Sequence, residues 1–120
     1  MNYSEMSDFE INGMVAAATQ RIGDYTQARG LTFIHEHGEP TGGFGAMCLG
    51  WKEFDPCNSW SDGGPIIATN KITISAPMKY DDPSDWLAYP SSDSDICVAH
   101  PNPLRAAMTV FLVMRDITNE

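Results

Sequence analysis

The chain has 120 residues, 42% hydrophobic and 19% charged, with seven basic against sixteen acidic residues and a formal charge of −9. Size and balance fit one globular domain, residues 1–120, with a single modest core; the acidity works against nucleic acid and anionic membranes, which the same field repels. No run of about 18 apolar residues could span a bilayer, the acidic start is unlike a secretory leader, and Cys48, Cys57 and Cys97 are too few and too irregular for a disulfide framework, so a cytosolic protein is expected.

The first element has a complete helix start. Ser7 and Glu10 form a capping box, Met6 and Ile11 a hydrophobic staple, and the helix is predicted from about Asp8 to Ile22. Ile11, Met14, Val15, Ala18 and Ile22 make one apolar stripe, and Gly23 is placed to end it in a left-handed cap. Gly13, in the middle, weakens the helix by about 1 kcal/mol relative to alanine; it reads as a tolerated exposed glycine, the alternative being a close approach of another backbone.

Signals then weaken from Asp24 to Asn58. "LTFI" (31–34) is a short strand candidate, "EPTGGFG" (39–45) a turn, and "MCLGW" (47–51) a second short apolar run. In "NSWSDGGPIIATN" (58–70), Asn58, Ser59 and Ser61 are cap candidates and Pro65, Ile66 and Ile67 the body of a short helix, shortened or broken at Gly63 and Gly64. "KITISA" (71–76) alternates as a half-buried strand does, and "WLAYP" (86–90) and "ICVAH" (96–100) follow as two more strands. Short connections favour an antiparallel meander.

Asn102 caps the last helix, Pro103 occupies its first position, and the helix runs to about Asp116. At about 100° per residue, Arg105, Thr109 and Asp116 share one narrow polar stripe, while Ala106, Ala107, Met108, Val110, Phe111, Val113 and Met114 fill the rest. Such a helix must be covered on nearly all sides. Leu112 falls inside the polar stripe, which makes it either a singly exposed leucine or a contact in a homodimer or a complex with another protein. The expected fold class is α+β: a small, mainly antiparallel sheet of about three to five strands, packed by an N-terminal and a C-terminal helix, with a short middle helix. Its expected core is Ile11, Val15, Ile72, Ile74, Ile96, Val98, Met108, Phe111 and Met114.

Chemical motifs are scarce, and no catalytic, cofactor-binding or metal-binding residue is assigned. "GGFG" (42–45) lacks the lysine and helix of a phosphate cradle. Cys97 and His100, with Cys48 and Cys57, supply on paper the four ligands of structural zinc, but a cysteine in a strand is more simply a small core residue and His100 a surface one. His35 and His37 share one face of a strand, with Glu36 opposite, and read as a polar strand end. Asp81, Asp82, Asp85, Asp93 and Asp95 make a solvated acidic loop; alternatively their spacing imitates the phosphates of nucleic acid and fits a basic site on a DNA- or RNA-binding protein. Trp60, Trp86 and Tyr89, if exposed beside these acids, would be its aromatic anchors.

In order along the chain, "MNYSEMSDFEIN", "FDPCNSW", "PIIATNKITI" and "NPLRAAMTVFLVM" resemble the NinX family of small proteins of lambdoid phages and prophages. The layout is also similar to that of the phage alpha-beta-alpha sandwich proteins. The resemblance spans both ends of the chain and departs from the family pattern at Gly63 and Gly64 and in the Asp-rich segment from Tyr80 to Asp95. The family has no known activity, so no site residue is carried over. It implies a phage accessory protein made in a bacterial cytoplasm. Together with the small size, the acidity and the absence of catalytic motifs, this leads to the expectation of a non-enzymatic module, without cofactor, membrane or direct nucleic-acid contact, whose partner is a host or phage protein. The candidate contacts are Leu112, Trp60, Trp86 and the five aspartates.

Overall fold

The computed structural model describes residues 2–20, 24–38, 47–76, 85–91 and 94–118. After a 3-10 turn at Tyr3–Glu5 come α1 (Asp8–Thr19), β1 (Tyr25–Ala28), β2 (Leu31–Gly38), β3 (Met47–Glu53), α2 (Trp60–Asn70), β4 (Thr73–Ser75), β5 (Trp86–Tyr89), β6 (Val98–His100) and α3 (Pro103–Thr118). The strands form two antiparallel three-stranded meanders, β1-β2-β3 and β4-β5-β6. The α+β class and the second meander are those expected from the sequence, with its strands trimmed to three or four residues. The first meander adds a strand, β1, that the sequence reading lacked.

Ser7 caps α1 by accepting from the Glu10 amide at 3.2 Å. The helix ends at Thr19 rather than Ile22, because Gln20 is already extended while its amide closes the last turn on Ala16. Ile22 and Gly23 lie outside the described residues. Gly13 is not a tolerated exposed glycine. It is half-buried, and a Cβ there would meet the Gln27 carboxamide at 2.5–2.7 Å. That carboxamide needs the space, since it donates to the Phe9 carbonyl (2.8 Å) and to Thr32 Oγ1 (3.0 Å) and so ties the first sheet to α1.

The β1–β2 hairpin turns on Arg29 (φ 54°) and Gly30 (φ 79°), a two-residue loop with both central residues left-handed. Between β2 and β3 the register shifts at Glu36/His37, opposite Gly50 with its φ of 142°. The plain alternation that grouped His35 with His37 is therefore interrupted between them.

α2 runs through Gly63, Gly64 and Pro65 without a break, contrary to expectation. At Gly63 two other segments come close: a Cβ would lie 2.6 Å from the Pro56 carbonyl and 2.9 Å from Leu104 Cδ2. Only hydrogen fits there, so the glycine permits helix packing rather than stopping the helix. The helix ends instead at Lys71, left-handed at φ 55°, with the Ile72 amide bonded back to the Ile67 carbonyl at 3.1 Å.

Core packing converges on α3, which lies against β4, β5 and β6 on one side, α2 on another and α1 on a third. The unbroken run from Leu104 to Leu112 is buried. Of the expected core, Ile11, Val15, Ile72, Met108 and Phe111 are buried, while Ile74, Ile96, Val98 and Met114 are half-buried against it. Leu112 is not exposed, retaining 4% of its surface, so the expectation of an outward leucine is wrong. The physical reason is that the polar stripe of α3 faces protein: the N-terminal turn and α1 lie over it.

Candidate functional site

Two constellations stand out among the described residues, one polar and enclosed, the other apolar and uncovered. The enclosed one is a seam joining three distant segments. Arg105, its side chain only 6% exposed, donates to Asp8 Oδ1 at 2.6 Å and to the carbonyls of Tyr3 (2.8 Å) and Met6 (2.6 Å). Asn102 caps α3 through its Oδ1, accepting from the Leu104 amide at 2.9 Å, and its Nδ2 donates to the Cys57 carbonyl at 2.6 Å. Asn12 holds the same turn from α1, its Nδ2 donating to Asp55 Oδ1 (2.7 Å) and its Oδ1 accepting from the Cys57 amide (3.2 Å). Asn58 donates to both Asp8 and Asp55, and the Asp55 amide donates to Asp62 Oδ2. Tyr3 OH donates to Asp116, pinning the start of the chain to the far end of α3.

Asp62 and Asp116 apart, these residues belong to the first, second and last of the sequence blocks quoted above. Among the described residues no buried side-chain polar atom is left without a partner. The seam is therefore satisfied by itself. Cys57 sits within it, fully buried, its thiol pushed up to about 12 by burial and by the Asp8 and Asp55 carboxylates, against the opposing pull of Arg105. At that value the thiol stays protonated at neutral pH. Burial raises Tyr3 likewise to about 12, with Asp116 adding to the shift. The cleft beside the seam, between Asp8, Asn12, Leu31, Glu53 and Asp55, holds about 130 Å³, below the roughly 300 Å³ at which small-molecule pockets begin.

The uncovered constellation is the outer face of the first sheet. β2 turns Thr32 (2% exposed) and Ile34 towards α1 and the core, and so turns Leu31, Phe33 and His35 the other way. The cross-strand pairs place Trp51 opposite His35, and Glu53 opposite Phe33. The rings are ordered: His35 and Trp51 centroids are 4.2 Å apart at 45°, and Phe33 meets Trp51 edge-on at 6.2 Å. His35 Nε2 is 3.1 Å from Thr26 Oγ1, which fixes the imidazole. Even so, Trp51 keeps 54% of its surface exposed and Leu31 44%. Burying threonine while facing leucine, phenylalanine and tryptophan outward inverts what sheet packing alone would select.

Among the described residues, those singled out from sequence do not gather. Leu112 is buried under α1. Trp60, 58% exposed, opens α2, while Trp86 and Tyr89 are half-buried in β5, the Tyr89 hydroxyl 3.0 Å from Ser75 Oγ. Asp85 is half-buried and Asp95 exposed; Asp81, Asp82 and Asp93 lie outside the described residues. Cys97 is exposed, Cys57 is buried in the seam, and His100 Nδ1 accepts the Asn102 amide at 2.9 Å. The side chains of Glu36, His37 and Cys48 lie outside the described part, and among the described residues no three His, Cys, Asp or Glu side chains come together as a metal site. No described helix is long and apolar enough to cross a membrane. Sequence reasoning missed the Phe33–His35–Trp51 face. Its signal was the alternation in "LTFIH", which from sequence reads as a short strand with neither face assigned.

No curated protein and no solved structure matches the chain. The family model described as Bacteriophage P22, NinX matches residues 2–115. With nearly the whole chain matched, and with three of its motif blocks meeting in one hydrogen-bonded seam, the chain belongs to the NinX family of phage proteins.

Proposed function

We propose that the protein is a non-enzymatic phage accessory module that acts in the bacterial host's cytoplasm by binding a host or phage protein, and that the outer face of β1-β2-β3 is the contact. The observation that carries this is the ordered Phe33–His35–Trp51 cluster on a face left open among the described residues. Exposed aromatic side chains held in fixed geometry are the usual anchors of protein interfaces, and their exposure costs stability that binding restores. The seam supports the non-enzymatic reading, since its polar groups bond one another and its thiol is held protonated. Two other readings, binding of a basic protein by the aspartates as a nucleic-acid mimic and a zinc-stabilised domain, have less support among the described residues, where Asp85 is half-buried, Asp95 exposed and Cys57 enclosed in the seam.

The test is position-specific photo-crosslinking in the bacterial host, with a photoreactive phenylalanine analogue replacing Leu31 on the proposed face or Ala17 on the exposed side of α1. The proposal expects a discrete heterologous adduct from position 31 that excess unlabelled protein competes away, and none from position 17. Adducts from both positions alike, or one of twice the chain mass, would overturn it, the latter by showing that a second copy occupies the face.

A further inference from the structure

Resting on that reading, we infer that the segment docking on the first sheet is cationic, and that it seats an arginine guanidinium on the part of the Trp51 ring left open by His35, against the Glu53 carboxylate. Trp51 and Glu53 are two residues apart on β3, so both side chains stand on the outer face, about 7 Å apart along the strand. Glu53 is exposed and has no ion pair among the described residues. Lys52, between them, points to the opposite face and stands 3.9 Å from Asp62, which leaves the carboxylate unneutralised by its neighbour. Arg29 belongs to the turn beyond Leu31, at the far end of the face from Trp51.

The recognition chemistry follows from this pairing. A tryptophan face attracts a cation through its ring quadrupole, a carboxylate one short span away completes the ion pair, and the flat guanidinium can stack and bond at once where an ammonium cannot. The chain's formal charge of −9 draws a cationic segment towards the molecule and repels an acidic one. Phe33 and Leu31 continue the face and leave room for apolar residues beside the arginine.

An NMR titration of the intact protein against a blocked Gly-Arg-Gly-Arg-Gly peptide tests this. Lysine and citrulline versions serve as comparison probes, and the indole N–H signals of Trp51, Trp60 and Trp86 are followed. Trp60, as exposed as Trp51 but placed at the start of α2, is the internal control. The expected result is a saturable shift of the Trp51 signal alone, with the arginine peptide binding more tightly than the lysine one and the citrulline one silent. Trp51→Ala, which keeps the charge, should weaken the peptide about tenfold. Glu53→Gln should weaken it several-fold, whereas Asp95→Asn, an equal change of charge elsewhere, should not. Equal shifts at Trp51 and Trp60, equal effects of Glu53→Gln and Asp95→Asn, or no arginine binding at millimolar peptide would overturn the inference. If position 31 still crosslinks a partner and Trp51→Ala removes that adduct while the arginine peptide fails to bind, the docking face stands and its cationic occupant does not.

Discussion

The seam and the outer sheet face are built from opposite materials, and each sits where the other would be expected. The seam places a guanidinium, three asparagines and two carboxylates between α1, α3 and the turn before α2, and leaves none of its buried side-chain polar atoms unpartnered. The outer face holds a leucine, a phenylalanine and a tryptophan in contact with water. Polar groups enclosed with all their bonds made fix one arrangement of the chain segments, because any other arrangement strands a charge or a carbonyl. Apolar rings held open contribute little to the isolated fold beyond their cross-strand contacts. The difference separates what the chain uses to fold from what it offers to a partner.

That separation can be broken first at Arg105. Arg105→Ala should cost about 3–5 kcal/mol in chemical denaturation, since it strands the Tyr3 and Met6 carbonyls and removes the cation facing Asp8. A loss under about 1 kcal/mol would show the guanidinium to be hydrated and the seam to be ornamental.

The next effect is smaller and differs in sign between neighbours. Gly63→Ala pushes a Cβ into the Pro56 carbonyl, and should destabilise by about 1–3 kcal/mol. Gly64→Ala meets nothing within 4 Å, and should stabilise by up to about 1 kcal/mol through helix propensity alone. Equal effects would remove the close approach as the reason for Gly63.

Titration sharpens the comparison from the side of the seam. Cys57 and Tyr3 both have folded values of about 12, above the 9.0 and 10.0 of the free groups. From about pH 9 upward the unfolded chain has released protons that the folded one still holds, so stability should be intact below pH 9 and fall as pH rises towards 12. Denaturant midpoints between pH 7 and 11 measure this, and Tyr3→Phe should flatten the part of the decline above pH 10. A midpoint that rises over this range would contradict the assignment. In the same spirit, exposed Cys97 should alkylate quickly in the native protein and buried Cys57 only on unfolding.

How much of this was legible in the sequence follows from which residues carried local signals. The Ser7 and Glu10 box, the Asn102-Pro103 start and the alternation of residues 71–76 are short-range patterns, and each element formed within a few residues of its expected place. The failures came from long-range contacts. Arg105, Thr109 and Leu112 read as a solvent stripe because periodicity separates polar from apolar but cannot show that a guanidinium has found Asp8, 97 positions away. Gly63 read as a break because its reason, the Pro56 carbonyl, lies in another segment. β1 was missed because its hairpin turns on Arg29-Gly30, where the usual Asn-Gly signal is absent. The outer face was hidden for a subtler reason: the short strand at 31–34 reads from sequence with neither face assigned, and periodicity alone does not say that Leu31 and Phe33, rather than Thr32, are the ones turned outward.

Trp51 carries the central claim, because it should matter little to the fold and greatly to binding. Its exposure limits the loss of stability in Trp51→Ala to about 1 kcal/mol. The decisive measurement takes one purified sample of this variant, records its unfolding curve, and quantifies the partner it recovers from host cells against wild type at equal concentration. An unfolding midpoint close to wild type together with loss of most of the recovered partner is the result the account predicts. A variant that unfolds much more easily, or one that stays folded and recovers the partner in full, would contradict it.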